Sequence, residues 1–128
     1  VLGETVAQKG SNITAERLRF DFAYPEKMAK EQIEKAEEIV NGKIKENLPV
    51  SWQEMDLDDA RKSGAIGLFG HKYETKVKVY TAGKPGGYFS KEICMGPHVN
   101  STGELGRFKI IKEEAVSAGV RRIKAILE

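Results

Sequence analysis

The chain has 128 residues, of which 40% are hydrophobic and 31% are charged, as is typical of a single globular domain. No apolar run approaches the length that spans a bilayer, and the single cysteine excludes an internal disulfide. The net charge of +2 does not by itself indicate a nucleic-acid-binding protein.

Charge is distributed unevenly along the chain. Residues 1–64 carry 10 Lys and Arg against 13 Asp and Glu, whereas residues 65–128 carry 11 against 6. The basic second half would suit a site that faces a phosphate backbone. Chance segregation of surface charge is the alternative explanation.

The first half of the chain is predicted to contain one strand and one long helix. A turn is predicted near Gly10, with Gln8 beside it. Residues 17–24 alternate with period two, which predicts a half-buried strand. Its core face would hold Leu18, Phe20, Phe22 and Tyr24. After Pro25 the pattern becomes helical from residue 26 to about residue 47, and its acidic-leaning outer face should repel RNA.

The middle of the chain is predicted to form a short strand and a short helix. The strand, residues 50–53, carries Trp52, which is predicted to be a core anchor rather than a platform for base stacking. Asp56 is predicted to cap a helix that stops at Gly64. The small apolar residues 65–70 suit close packing.

The second half is predicted to consist of strands and turns. Residues 76–80 alternate as a strand, and the glycine-rich residues 83–88 predict an inert surface loop, with a lid or an RNA contact as the alternative. Residues 89–93 predict a strand that leads into Cys94, and residues 108–127 predict a β-hairpin. Several strands with one long and one short helix indicate an α+β domain.

Cys94 and His98 form a C-x-x-x-H pair within a turn that contains Gly96 and Pro97. Such a turn can bring a thiolate and an imidazole to one point, and both are ligands that zinc prefers. Zinc needs four ligands, or three and a water molecule, and this pair supplies two. The spacing alone favours a small buried cysteine and a surface histidine in a loop.

Five segments, in the same order, resemble the editing domains of alanyl-tRNA synthetases. They are Gln8–Ser11 (Q-K-G-S), Arg17–Phe22 (R-L-R-F-D-F), residues 64–73 (close to G-A-M-A-L-F-G-E-K-Y), residues 94–110 and Ala118–Ile123 (A-G-V-R-R-I). The fourth segment follows the family's metal motif C-G-G-T-H-V-x-x-T-G-x-I-G-x-F-x-I at Cys94, Gly96, His98, Val99, Thr102, Gly103, Gly106, Phe108 and Ile110. It departs from that motif at Met95, Pro97 and Leu105, and His71 in the third segment stands where the family has Glu.

The resemblance implies the two-layer editing fold shared with threonyl-tRNA synthetases, a mixed or antiparallel sheet packed with one long and one short helix. It implies that residues 1–128 are one domain, a partial editing domain without its N-terminal metal-binding helix. In the family, zinc is held by two histidines of that helix together with the residues that correspond to Cys94 and His98. Two further histidine ligands are therefore expected upstream of Val1, and zinc binding by residues 1–128 alone is expected to be weak.

The resemblance also implies a reaction. The family, as part of alanine–tRNA ligase, hydrolyses the ester of serine or glycine wrongly attached to alanine tRNA, with zinc assistance. The implied catalytic residues are Gln8, Cys94 and His98, with Gln8 orienting the aminoacyl group or a water molecule. The implied partners are the acceptor end of alanine tRNA and the rest of the synthetase chain, in the cytoplasm, with neither membrane nor DNA. The isolated chain is expected to be weakly active or inactive.

Two alternatives stay open at this point. The chain would also fit a catalytically silent module that contacts tRNA, in which Met95 and Pro97 mark a decayed metal motif. It would also fit a truncated free-standing alanyl-tRNA deacylase. Zinc content and deacylation that depends on Cys94 separate the silent module from a hydrolase.

Overall fold

A computed structural model describes residues 1–67, 75–84, 86–94 and 96–128. In chain order its elements are β1 (Ala7–Ile13), β2 (Arg17–Ala23), α1 (Lys30–Glu46), β3 (Val50–Asp56), α2 (Leu57–Lys62), β4 (Lys76–Lys84), β5 (Gly87–Ile93), a 3-10 turn (Thr102–Leu105), β6 (Phe108–Ser117) and β7 (Val120–Leu127). The first sheet has the strand order β1-β2-β7-β6 and the second has the order β3-β4-β5, and all pairs are antiparallel. Two antiparallel sheets with one long and one short helix confirm the predicted α+β class. Within the described ranges, no helix combines the length and the apolar character that a membrane crossing requires.

Strand β2 and the hairpin β6–β7 form as their alternating patterns predict. Phe22 is 3% exposed and packs into the core of the first sheet with Ala125 and Ile110. The turn predicted near Gly10 is wrong, because Gly10 lies inside β1 at a register shift in the pairing with β2. Gln8 is consequently a strand residue opposite Phe22 and is half-buried.

Helix α1 starts later than predicted, at Lys30, and ends at Asn47, which has the left-handed φ of 49°. The residues after Pro25 are not helical, and the N–H of the buried Met28 donates instead to a carboxylate oxygen of Glu113 (2.9 Å). The side chain of Asn41 accepts from and donates to the backbone of Phe108 (2.8 and 2.9 Å). Because β6 is an edge strand, α1 satisfies backbone groups that a sheet edge would otherwise leave open.

The second sheet differs from prediction at Trp52. Strand β3 continues to Asp56, and Trp52 is 56% exposed, so the prediction of a core anchor is wrong. The core of this sheet is the small cluster Ala60, Val77, Val79 and Ile93, in which α2 contributes Ala60. Since Trp52 pairs with Tyr80 across β4, its side chain lies on the face opposite Val79 and cannot reach this cluster.

Two predicted turns have different outcomes. Helix α2 ends before Gly64, whose φ of 87° confirms its predicted role. Asp56 is the N-cap residue of α2 as predicted, but its side chain makes an ion pair with Lys76 (2.9 Å) and no capping hydrogen bond. The loop predicted at residues 83–88 is wrong at both ends, because Gly83 and Lys84 belong to β4 and pair with Tyr88 and Gly87 of β5. Pro85 lies outside the described residues. A Cβ at Gly83 would lie 2.7 Å from the Cα of Tyr88, which requires glycine there. The predicted packing of residues 65–70 falls partly on residues 68–70, outside the described ranges.

Two carboxylates of the first sheet are paired with arginines. Arg122 donates to Asp21 (2.8 and 3.1 Å), and Arg121 donates to Glu113 (2.6 and 2.9 Å). The hydrogen bonds from these arginines hold the pKa values of Asp21 and Glu113 below their ordinary values. Both carboxylates therefore prefer their charged form in the folded chain.

The lowered pKa values predict acid sensitivity. A carboxylate with a lowered pKa in the folded state stabilises the fold fully above its unfolded pKa, about 4, and loses that contribution as the pH falls. We expect the urea midpoint of unfolding to be flat near neutral pH and to fall steadily below about pH 4. The Asp21→Asn variant should start at a lower midpoint and show a shallower acid decline. An unchanged midpoint down to pH 3 would contradict this account.

Candidate functional site

Cys94 directly follows strand β5. Its N–H donates to the carbonyl of Lys78 (3.2 Å), which extends the ladder between β4 and β5 by one residue. Its side chain is half-buried, and its Sγ accepts a hydrogen bond from the N–H of Gly96 (3.4 Å). This hydrogen bond fixes the position of the sulfur, the atom through which a cysteine binds metals.

His98 is exposed but is fixed on two sides. Its Nδ1 lies 2.9 Å from the carbonyl oxygen of Gly96. A carbonyl only accepts hydrogen bonds, so Nδ1 carries the proton and the lone pair of Nε2 is available to a ligand. The imidazole also stacks on the ring of Tyr80, with centroids 3.6 Å apart and planes 10° apart.

Gly96 thus links the two predicted metal ligands. Its N–H holds the sulfur of Cys94, and its carbonyl orients the imidazole of His98. Neither bond involves a side chain of the residues between the pair. The sequence motif contains this glycine, but nothing in the pattern indicates that one residue contacts both ligands.

The segment after His98 is attached to the C-terminal end of α1. Thr102 donates through Oγ1 to the carbonyl of Lys43 (2.6 Å), and Oγ1 accepts from the N–H of Leu48 (2.8 Å). The side chain of Asn47 accepts the N–H of Gly103 (3.0 Å), and a Cβ at Gly103 would collide with that side chain. The family-like residues Thr102 and Gly103 therefore anchor the turn that carries His98.

Cys94 and His98 carry donor types that zinc prefers, a sulfur and an imidazole nitrogen, and each makes a hydrogen bond with Gly96. Zinc binding by this pair stays a prediction. Across the described ranges, no third His, Cys, Asp or Glu joins this pair in a metal-binding cluster. His71, the other histidine of the chain, lies outside the described residues.

Gln8 lies in the first sheet, whereas Cys94 follows a strand of the second. Among the described residues, no hydrogen bond joins Gln8 to Cys94 or to His98, so its catalytic role stays a prediction. A cleft of about 260 Å³ lined by Ser51, Gln53, Ser63, Thr81 and Lys91 is also present. Val79 and Thr81, which line it, alternate with Tyr80 along β4, so this cleft opens on the face away from His98.

Tyr80 is the residue at this site that sequence reasoning missed. The strand of Tyr80 was predicted. The contact between its ring and His98 depends on the path of the chain after β5, which brings His98 back over the sheet. Alternation in β4 could show only that Tyr80 lies on the face opposite Val77 and Val79. Trp52, on the neighbouring strand, continues the aromatic row, with its ring centroid 6.5 Å from that of Tyr80.

Comparison with known proteins finds similarity across the residues of this site. Residues 77–124 match the model of the threonyl and alanyl tRNA synthetase second additional domain. The whole chain is 57% identical to part of the alanine–tRNA ligase of Treponema pallidum, and 99% of it is 59% identical to part of that of Borrelia hermsii. An alanine–tRNA ligase of Haemophilus influenzae is 51% identical over 98% of the chain.

The chain spans 20% of the length of the Treponema pallidum relative, 21% of the Borrelia hermsii relative and 14% of the Haemophilus influenzae relative. The matched model covers β4 to β7 and includes both Cys94 and His98. Residues 77–124 thus match the threonyl and alanyl tRNA synthetase second additional domain, and nearly the whole chain is similar to part of alanine–tRNA ligases.

Proposed function

We propose that the chain is an editing domain that hydrolyses the ester of serine or glycine wrongly attached to alanine tRNA. The observation that carries the proposal is the arrangement at Gly96, which holds the sulfur of Cys94 and the imidazole of His98 at one turn. The similar proteins are alanine–tRNA ligases, which supports a substrate made of alanine tRNA. A pocket for alanine discriminates weakly against side chains that differ by one small group, so a second hydrolytic site has a physical purpose.

The side chains of this chain would bind and orient the reacting group. Cys94 and Nε2 of His98 would hold one half of a zinc centre, and bound zinc supplies a Lewis acid beside the ester. The Nδ1–H of His98 would donate to the carbonyl of Gly96, which leaves the lone pair of Nε2 for the metal. Gln8 is proposed to orient the aminoacyl group or the attacking water through its amide.

Two further ligands would have to come from outside this pair. We propose histidines that precede Val1 in the full-length protein, so residues 1–128 alone should bind zinc weakly and hydrolyse mischarged tRNA slowly. Rapid zinc-dependent hydrolysis by residues 1–128 alone would contradict this part of the proposal.

The test uses the full-length protein with three substrates, alanine tRNA charged with serine, glycine or alanine. We expect the serine and glycine esters to be hydrolysed at least about 100-fold faster than the alanine ester. Zinc content is measured on the same sample, before and after a chelator. Binding of tRNA without zinc and without ester hydrolysis would instead support a silent module that contacts tRNA.

Tyr80 provides a separate prediction. The Tyr80→Leu variant removes the ring under His98, so zinc affinity in the full-length protein should fall about 10-fold, as for other groups that orient metal ligands. Tyr80→Phe keeps the ring and should stay close to the unchanged protein. Competition with a chromophoric chelator measures the affinity, and nitrogen NMR of His98 reports its tautomer. Equal affinity in the Leu and Phe variants would show that the stacking does not position His98.

A further inference from the structure

One face of the first sheet is basic. Strand register places six cationic side chains on it, Arg17, Arg19, Lys109, Lys112, Arg122 and Lys124. Among the described residues paired in these strands, two carboxylates, Asp21 and Glu114, share this basic face, which leaves an excess of four positive charges in a chain whose net charge is +2. The face is open, since the side chains of Lys112 and Lys124 are 58% and 40% exposed and Arg17 and Lys109 are exposed.

The two carboxylates of the basic face already have partners. Asp21 accepts two hydrogen bonds from Arg122, and Glu114 lies 3.3 Å from both Lys112 and Lys124. Arg19 lies 3.8 Å from Asp21, and its buried Nε donates no hydrogen bond among the described residues. The acidic groups therefore compensate only part of the positive charge.

Arg17 and Lys109 carry the least compensated charge on the basic face. Arg17 of β2 and Lys109 of β6 pair with Ile126 of β7 in the backbone register, one on each side of it. Within the described ranges, neither side chain makes an ion pair. Replacing them therefore removes positive charge without breaking an internal contact, which makes them suitable positions for a test.

The cations form an array rather than a single pocket. Neighbouring strands lie about 4.8 Å apart, and alternate residues of one strand lie about 6.6 Å apart. An array of this kind matches an extended polyanion, whereas a single phosphate ion needs convergent donors. Helix α1 presents Lys30 and Lys35 in ion pairs with Glu34 and Glu38, so its exposed side offers no comparable excess.

We propose that the basic face binds the phosphate backbone of tRNA. This inference rests on the proposed function, because that function supplies RNA as the polyanion. It is independent of zinc and of ester hydrolysis, since none of the six cations belongs to the Cys94–His98 turn.

The first test compares two double variants of the full-length protein. The test variant combines Arg17→Gln and Lys109→Gln, and the control variant, with the same change in charge, combines Lys30→Gln and Lys35→Gln. Binding of uncharged alanine tRNA is measured across a series of salt concentrations. Loss of two phosphate contacts should reduce the slope of log affinity against log salt by about 1.5 to 2 in the first variant only. An unchanged slope in that variant, or an equal change in both, would overturn the inference.

The second test labels lysines of the unchanged full-length protein with an amine-reactive reagent, with and without alanine tRNA. RNA should protect Lys109 and Lys112 several-fold and leave Lys30 and Lys35 reactive. If Lys109 and Lys112 are unreactive without RNA, a protein segment covers the basic face and the inference is wrong. Protection by RNA in a protein that does not hydrolyse serine-charged tRNA would sustain the inference while the proposed function fails.

Discussion

The Cys94→Ala variant of the full-length protein should lose bound zinc and lose hydrolysis of serine-charged alanine tRNA together. Cys94 contributes the thiolate, the strongest zinc donor of the two residues at Gly96. Removal of a direct ligand should weaken zinc binding by at least about 100-fold, beyond the usual effect of a group that only orients a ligand. Zinc per chain after chelator challenge and the rate of serine release are the two measurements.

The matched control for this prediction is Ser90→Ala. Ser90 lies in the same strand, β5, at an even spacing from Cys94, and is also partly buried. It should retain zinc and activity, because it makes no contact with the Gly96 turn among the described residues. Retained zinc with lost hydrolysis in Cys94→Ala would point instead to Cys94 as a covalent nucleophile.

The Glu113→Ala variant should lose about 3 to 5 kcal/mol of folding free energy, the usual cost of leaving a buried charge without its partner. The side chain of Glu113 is 2% exposed, and it accepts two hydrogen bonds from Arg121 and one from the N–H of Met28. Its removal leaves a guanidinium and a backbone N–H unsatisfied at the position where the chain enters α1. Urea unfolding at neutral pH measures the change.

The neighbouring residue supplies the control. Glu114 lies on the basic face, is 30% exposed and makes ion pairs with Lys112 and Lys124. Water screens partly exposed pairs of this kind, so Glu114→Ala should cost far less than Glu113→Ala. Similar losses in both variants would show that burial does not set the energetics of these pairs.

Alternation and turn residues predicted most of the fold. The period of two located β2, the start of β4 and the hairpin of β6 and β7, because each of these strands has one apolar and one polar face. The prediction that Trp52 is a core anchor failed, because the size of an aromatic side chain does not indicate which face of the edge strand β3 is covered by helix α2. The prediction of a loop at residues 83–88 also failed. Glycines are common in loops, but here Gly83 and Gly87 pair within the strand ends of β4 and β5.

The sequence predicted the two candidate ligands but not the groups that orient them. The spacing of Cys94 and His98 is visible in the sequence, and five family-like segments gave it a function to test. The ring of Tyr80 and the main chain of Gly96 act through tertiary geometry, which local patterns do not encode. The buried pair of Glu113 and Arg121 was missed for a similar reason, because charged residues on a strand normally indicate solvent.

The two hydrogen bonds of Gly96 affect which amino acids the segment between Cys94 and His98 can tolerate. Both bonds come from the peptide groups of Gly96, so the side chain of Pro97 takes no part in them. Proline in place of the family's threonine therefore keeps the atoms that hold the sulfur and the ring. A sequence search for such sites should allow residues other than threonine at position 97.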